Sequence, residues 1–232
     1  MKIAVFGTGP VGQTIADKLN SLGHDVVLGT RDPKASLQRV DKDSFGRPPL
    51  KDWHKEHPTV KIVTFAEAAA RGEFLVNATN GTGTLSALAS AGAANLAGKV
   101  LLDIANPLDF SKGFPPALTV CNTDSLGEQV QRAYPDVKVV KSMNTMNTYL
   151  MVSPRSLPST HTVFLSGNDP GAKDRVRELL RSFGWENDEM IDLGDITTAR
   201  GTEQLLPIWV RLYGALGHGM FNFNIVQGET SG

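Results

Sequence analysis

The run Gly7-Thr8-Gly9-Pro10-Val11-Gly12 has the spacing G-x-G-x-x-G, and its setting constrains the fold more than any other stretch of the chain. It follows an apolar run over residues 3–6 that reads as a buried parallel strand. After it, Val11, Ile15, Leu19 and Leu22 recur at helical spacing, and Gly23 stands where a helix would be capped. Residues 25–28 read as a second strand, which completes a βαβ unit. In that context Gly7 permits the tight turn, Gly9 lets backbone approach a pyrophosphate, and Gly12 lets helix pack close to strand. The helix N-terminus offers free N–H groups and a positive dipole end to phosphate, and Pro10 suits its first turn. A turn that needs glycine for packing alone is the competing reading, and the strand–turn–helix context argues against it.

Which dinucleotide the turn would hold is read at the end of the second strand, Leu28-Gly29-Thr30-Arg31. NAD sites carry an acidic residue there for the ribose 2′-hydroxyl. Here Gly29 and Thr30 occupy the tip, and Arg31 offers a fork suited to phosphate, with Lys34 as a second cation. Asp32 lies at the right count for an NAD carboxylate, but Asp32-Pro33 has the form of a helix N-cap followed by its first turn. The expectation is therefore a 2′-phosphate clamp and NADP(H), against a null of an ordinary surface arginine.

The rest of the chain alternates short apolar runs with helical patterns, as a doubly wound sheet does. Strands are expected over 61–63, 74–78, 99–104, 137–140, 162–166 and 190–193, and helices over 65–71, 84–95, 125–133 and 170–183. Residues 41–58 are polar and weakly periodic and read as an irregular surface excursion; residues 198–226 read as mostly helical, kinked at Pro207. The expected architecture is a Rossmann-type doubly wound parallel α/β sheet (1–195) with a small, mostly helical C-terminal extension (196–232). At 232 residues, 41% hydrophobic and 20% charged, the chain has the composition of a globule with a sizeable core. A net charge of -1 argues against a general nucleic-acid or membrane-surface binder. No apolar run reaches the ~20 residues that span a bilayer, and no signal peptide is recognised at Met1. The single cysteine, Cys121, fits a reducing, cytoplasmic setting.

Three segments fall beyond strand ends on the ligand side of such a sheet: Asn77-Ala78-Thr79-Asn80-Gly81, Asp103-Ile104-Ala105-Asn106-Pro107 and Lys141-Ser142-Met143-Asn144-Thr145. Their amides and hydroxyls suit a nicotinamide and its ribose, although Asn and Gly also favour plain turns. No acid/base constellation is evident. His54 and His57 have a spacing that suits a metal, but no third ligand is apparent, and no metal is expected. His24 reads as a strand-entrance residue, while Lys141 and His218 are the only candidates for a proton donor. Trp209, Tyr213, Phe221 and Phe223 read as core, as a subunit interface of a homodimer, or as the wall of a site for a flat ring.

Taken together, KIAVFGTGPVGQTIADKL, GTRDP, VNATNG, DIANPL, KSMNTM, FLSGNDP and TARGTEQLLPIWVRL resemble the F420-dependent NADP oxidoreductase family over most of the chain. The resemblance implies direct hydride transfer between NADP(H) and the deazaflavin coenzyme F420. It implies that Thr8, Pro10 and Val11 line the pyrophosphate and nicotinamide region, that Thr30 and Arg31 hold the 2′-phosphate, and that Asn77, Asn106 and Asn144 sit near the reacting rings, beside Ala78 and Thr79. Such a transfer needs stacked rings more than a protein acid. The 41–58 excursion and the soft wall of Met143, Met146 and Met151 depart from the family pattern and bear on the second substrate. Membrane ferric reductases carry a similar domain. A reductase of small carbonyls or imines, and a non-catalytic NADP(H) sensor, are the alternatives on the same scaffold.

Overall fold

The computed structural model describes residues 1–40 and 48–228. Among the described residues ten strands form: β1 Lys2–Phe6, β2 Asp25–Thr30, β3 Lys61–Thr64, β4 Phe74–Asn77, β5 Val100–Asp103, β6 Leu108–Asp109, β7 Ala117–Leu118, β8 Lys138–Ser142, β9 Val163–Ser166 and β10 Met190–Asp192. Eight of them make one sheet in the order β10-β9-β8-β5-β4-β1-β2-β3. From β3 to β8 every pairing is parallel, which is the doubly wound dinucleotide-binding order, with the strand sequence reversing between β1 and β4. β9 runs antiparallel to β8, and β10 runs parallel to β9. β6 and β7 form a separate antiparallel hairpin after β5.

The inner strands are buried on both faces and read as unbroken apolar runs, the consequence of helices on either side. One face packs Ile15, Leu19, Val140, Met151 and Trp185 into a core; the other packs Phe6, Phe65, Leu88, Leu101 and Val139. The helices that make these faces are α1 Pro10–Ser21, α2 Pro33–Gln38, α3 Leu50–Glu56, α4 Phe65–Arg71, α5 Thr84–Ala91, α6 Ala93–Leu96, α7 Leu126–Ala133, α8 Thr148–Val152, α9 Pro170–Phe183, α10 Ala199–Gln204 and α11 Leu206–Leu216.

Three expectations change. Residues 48–58 of the expected irregular excursion contain α3, and residues 41–47 lie outside the described residues. Trp53 of α3 packs against the core and stacks on His57 at 4.4 Å, so tertiary burial stabilises a helix whose sequence pattern is weak. The expected helix over 84–95 is two helices, α5 and α6, because Gly92 adopts φ +86° between them. The C-terminal tail is helical only to Leu216. Gly217 adopts φ +74° and stops α11, and the chain continues without regular structure, held where the Thr162 amide donates to the Phe223 carbonyl at 2.8 Å. Pro207 sits in the first turn of α11, so the expected kink is a break between two helices.

Candidate active site

The glycine turn joins β1 to α1 at the point where the strand order reverses. Gly7 has φ +108°, and a Cβ there would lie 2.5 Å from the Ala78 carbonyl oxygen, so both backbone conformation and the loop after β4 demand glycine. A Cβ on Gly12 would lie 2.0 Å from the Gly7 carbonyl oxygen, which is the close approach of helix to turn. Gly9, the N-cap of α1, is the opposite case: nothing lies within 4 Å of a Cβ built there, and no side chain caps the helix. The N-terminus of α1 is therefore open at Gly9, as a phosphate cradle requires. Gln13 Nε2 donates to the Thr8 carbonyl at 2.8 Å and fixes the turn.

At the end of β2, Asp32 is the N-cap of α2 and accepts the Ala35 amide at 3.0 Å. Its carboxylate serves the helix, as its sequence context suggested. Arg31 and Lys34 are exposed, and among the described residues neither is within ion-pair distance of a carboxylate. Thr30 is buried and bonds Ser36, a residue that sequence reasoning did not single out.

The three later loops meet beside the turn. Asn106 Nδ2 donates to the Asn144 carbonyl at 2.8 Å, and Asn144 Nδ2 returns the bond to Asn106 Oδ1 at 2.9 Å, so these two residues brace the loops after β5 and β8. Gly81 lets the loop after β4 approach the Asn106 carbonyl, where a Cβ would stand 2.0 Å away. Asn77 points into the protein. Its Oδ1 accepts from Thr79 Oγ1 at 2.6 Å, and its Nδ2 donates to Asp103 Oδ1 at 2.7 Å.

Asp103 belongs to a buried charge cluster. Lys141 Nζ stands 2.9 Å from Asp103 Oδ2 and 2.8 Å from Glu203 Oε1 and also bonds the Ala105 carbonyl, with the lysine side chain fully buried. Glu203 in turn accepts the Leu126 and Gly127 amides, at 2.8 and 3.0 Å, at the start of α7. Burial alone would push the Lys141 pKa down; the two carboxylates more than reverse this and hold the ammonium charged above its usual range. Lys141 is thus locked away from any cleft and is withdrawn as a proton donor. It was read as a loop residue, yet it lies inside β8, between Val140 and Ser142. A charged residue within an apolar strand was the signal that could have located the cluster.

The loops enclose a cleft of about 370 Å³ that opens at Gly9, Pro10 and Val11. Its far wall is Trp209 and Leu206 from the C-terminal helices, Phe110 from the β6–β7 hairpin, and Met146 and Met151. Thr79, Asn80, Asn106, Asn144 and Thr148 carry its amides and hydroxyls, and among the described residues no Asp, Glu, His, Lys, Arg, Tyr or Cys lines it. Met143 lies in the core with φ +60° and does not line the cleft. Trp209 stacks on Tyr213 and Phe221 at 5.7 and 5.3 Å. His218 bonds the Met220 amide in the tail and does not reach the cleft. A second cavity, of about 590 Å³, lies on the outer side of α1 between α3 and α8. There His57 contacts Asp17 at 3.0 Å and the Trp53 carbonyl at 2.8 Å, so both ring nitrogens are engaged and the His54–His57 pair forms no metal site.

The strand order, the reversal point and the glycine turn define a Rossmann-type protein of the dinucleotide-binding class. The family described as NADP oxidoreductase, coenzyme F420-dependent, matches residues 2–107. A crystal structure from Arthrobacter sp. FB24, provisionally named an F420-dependent NADP reductase, is 57% identical, covers 98% of this chain and 100% of its own, and superposes with a TM-score of 0.93. The chain belongs to the F420-dependent NADP oxidoreductase family. The F420-dependent NADP reductase of Methanothermobacter marburgensis is 26% identical over 91% of this chain and 92% of its own. Metalloreductase STEAP3 of Rattus norvegicus is 27% identical over 90% of this chain, which spans only 38% of that protein's length. Among the described residues no helix is long and apolar enough to cross a membrane. An imine reductase of Streptomyces aurantiacus shares the fold alone, at 17% identity over 94% of this chain and 64% of its own, with a TM-score of 0.62.

Proposed function

We propose that this chain transfers a hydride directly between NADPH and a flat-ring acceptor, the deazaflavin coenzyme F420 or a flavin-like molecule. The observation that carries the reading is the cleft: it begins at the glycine turn, ends on an aromatic and thioether wall, and has no ionisable side chain in its lining. Reduction of a small carbonyl or imine wants a positioned proton donor. The two candidates, Lys141 and His218, are respectively sealed in the interior and outside the cleft. A ring acceptor needs none, since it takes the hydride at C5 of a deazaflavin or N5 of a flavin and a proton on its own N1 from water.

NADPH, when bound, supplies the hydride from its nicotinamide C4. The residues assigned to hold it are Gly7, Thr8, Gly9, Pro10, Val11 and Gly12 around the pyrophosphate, and Thr30, Arg31 and Lys34 around the 2′-phosphate. Ala78, Thr79 and Asn106 serve at the ribose and nicotinamide, and Asn77, buried behind them, acts by holding the Thr79 hydroxyl. The Asn106–Asn144 brace fixes the two loops that set the ring separation. Residues 196–232 act as an extension that supplies Leu206 and Trp209 as the acceptor wall and excludes water. The apolar surface left on α11, where Ile208 and Leu216 are 47% and 50% exposed, suits a homodimer, and the exposed thiol of Cys121 suits a reducing compartment.

Transfer from NADPH deuterated at C4 tests direct passage. With coenzyme F420 as acceptor, deuterium is expected at its C5 without washout, and loss to solvent would contradict the reading. Arg31→Ala is expected to weaken NADPH binding by about 1–3 kcal/mol and to leave NADH nearly unchanged, the range for hydrogen bonds to charged groups; equal weakening would remove the 2′-phosphate assignment.

A further inference from the structure

Thr30 and Ser36 hold two hydroxyl oxygens 2.9 Å apart at the end of β2. Both residues are buried, 8% and 6% exposed. Two hydroxyls carry two protons, and the bond between them uses one. Among the described residues neither oxygen has another hydrogen-bond partner. The acceptor a helical serine ordinarily finds is the carbonyl one turn back, as Ser90 Oγ finds Ser86 at 2.9 Å, but among the described residues Ser36 Oγ bonds Thr30 and not the Asp32 carbonyl. One buried O–H is left without an acceptor among the described residues.

The neighbouring groups define that acceptor. Arg31 and Lys34 are exposed and, among the described residues, unpaired. The carboxylate of Asp32 is engaged by the Ala35 amide. What remains is a patch of donors, complementary to an anionic group with several oxygens. We infer that Ser36 is a specificity-determining residue of the 2′-phosphate subsite. It donates to Thr30 Oγ1, so that the Thr30 proton is free to donate to a phosphate oxygen. Ser36 acts through Thr30 as a positioning residue, and the inference rests on the NADP(H) reading given above. A ribose 2′-hydroxyl brings no charge to this patch, so the pair favours the phosphorylated ribose.

Isothermal titration of the full chain with 2′-phospho-ADP-ribose and with ADP-ribose tests this. Ser36→Ala is expected to weaken the phosphorylated probe roughly tenfold and leave ADP-ribose unchanged, the size of one charge-assisted hydrogen bond. In a Thr30→Val background, Ser36→Ala is expected to have no further effect, which a purely structural role would not produce. Ser36→Cys, slightly larger and a weaker donor, should fall between the parent and Ser36→Ala and serves if Ser36→Ala does not fold by its melting curve. Equal weakening of both probes by the Ser36 variants, or additive effects with Thr30→Val, would overturn the assignment. Arg31→Ala separates the two levels. If it discriminates between the probes and Ser36→Ala does not, the Ser36 role alone is lost; if it weakens both probes equally, the NADP(H) reading falls and the Ser36 role with it.

Discussion

Gly9 and Gly12 stand three residues apart and answer to different demands. A methyl group at Gly12 collides with backbone 2.0 Å away, whereas one at Gly9 meets nothing of the protein. Gly12→Ala is therefore expected to lower the melting temperature and abolish dinucleotide binding. Gly9→Ala should melt like the parent yet bind NADPH far more weakly, because its methyl occupies only the space reserved for phosphate. Melting curves with and without NADPH check the pair; a Gly9→Ala chain that melts low would mean that the space is structural. Lys141 shows the converse, a residue whose chemistry is turned inward. Lys141→Met leaves Asp103 and Glu203 without their cation and is expected to cost about 3–5 kcal/mol in denaturant unfolding. A loss under about 1 kcal/mol, the scale of an exposed pair, would contradict its place as the centre of the cluster. At this scale the turn glycines and the capping role of Asp32 were legible, because turn and cap chemistry is local. Ser36 and the Lys141 cluster were not, because their partners lie across the fold or carry no motif.

Elements with both ends signalled in sequence appear where expected. α4 begins at a Thr64–Glu67 capping box, and α9 runs from the Asp169 cap to Gly184 in the left-handed region. α3 and the chain beyond Leu216 differed, since one is stabilised by Trp53 packing and the other is held by hydrogen bonds to His161 and Thr162 just before β9, neither of which has a local period. The attachment of α10 to α7 is expected to depend on pH. The Arg200 guanidinium forks onto Glu128, at 2.8 and 2.6 Å, and holds that carboxyl below its ordinary value of 4.5 against the opposing effect of burial. A depressed acid adds stability above its unfolded pKa and loses it as pH falls through the folded value. The melting-temperature gap between the parent and Arg200→Ala is expected to hold above pH 4.5 and to close below it. A gap that persists into acid would mean that the pair contributes by packing alone.

The whole molecule joins a six-strand doubly wound order to an antiparallel β9, and hydrophobic patterning carries no information about that reversal, since a buried strand reads the same in either direction. The parallel core and its reversal point, by contrast, follow from the alternation of strand and helix, and the site follows from them. The C-terminal helices complete the cleft from the opposite side through Leu206 and Trp209. Light scattering at micromolar concentration is expected to show a dimer, and a monomer would leave the apolar face of α11 without an occupant. In the proposed reaction a hydride passes to a flat ring without a protein acid. The most direct measurement is NADPH oxidation by the purified chain with oxidised coenzyme F420, with FMN and with a cyclic imine, and with NADH in place of NADPH. Rapid turnover with NADPH and a ring acceptor, and none with the imine, is the expected result. Turnover of the imine alone, or tight NADPH binding with no turnover on any acceptor, would contradict it.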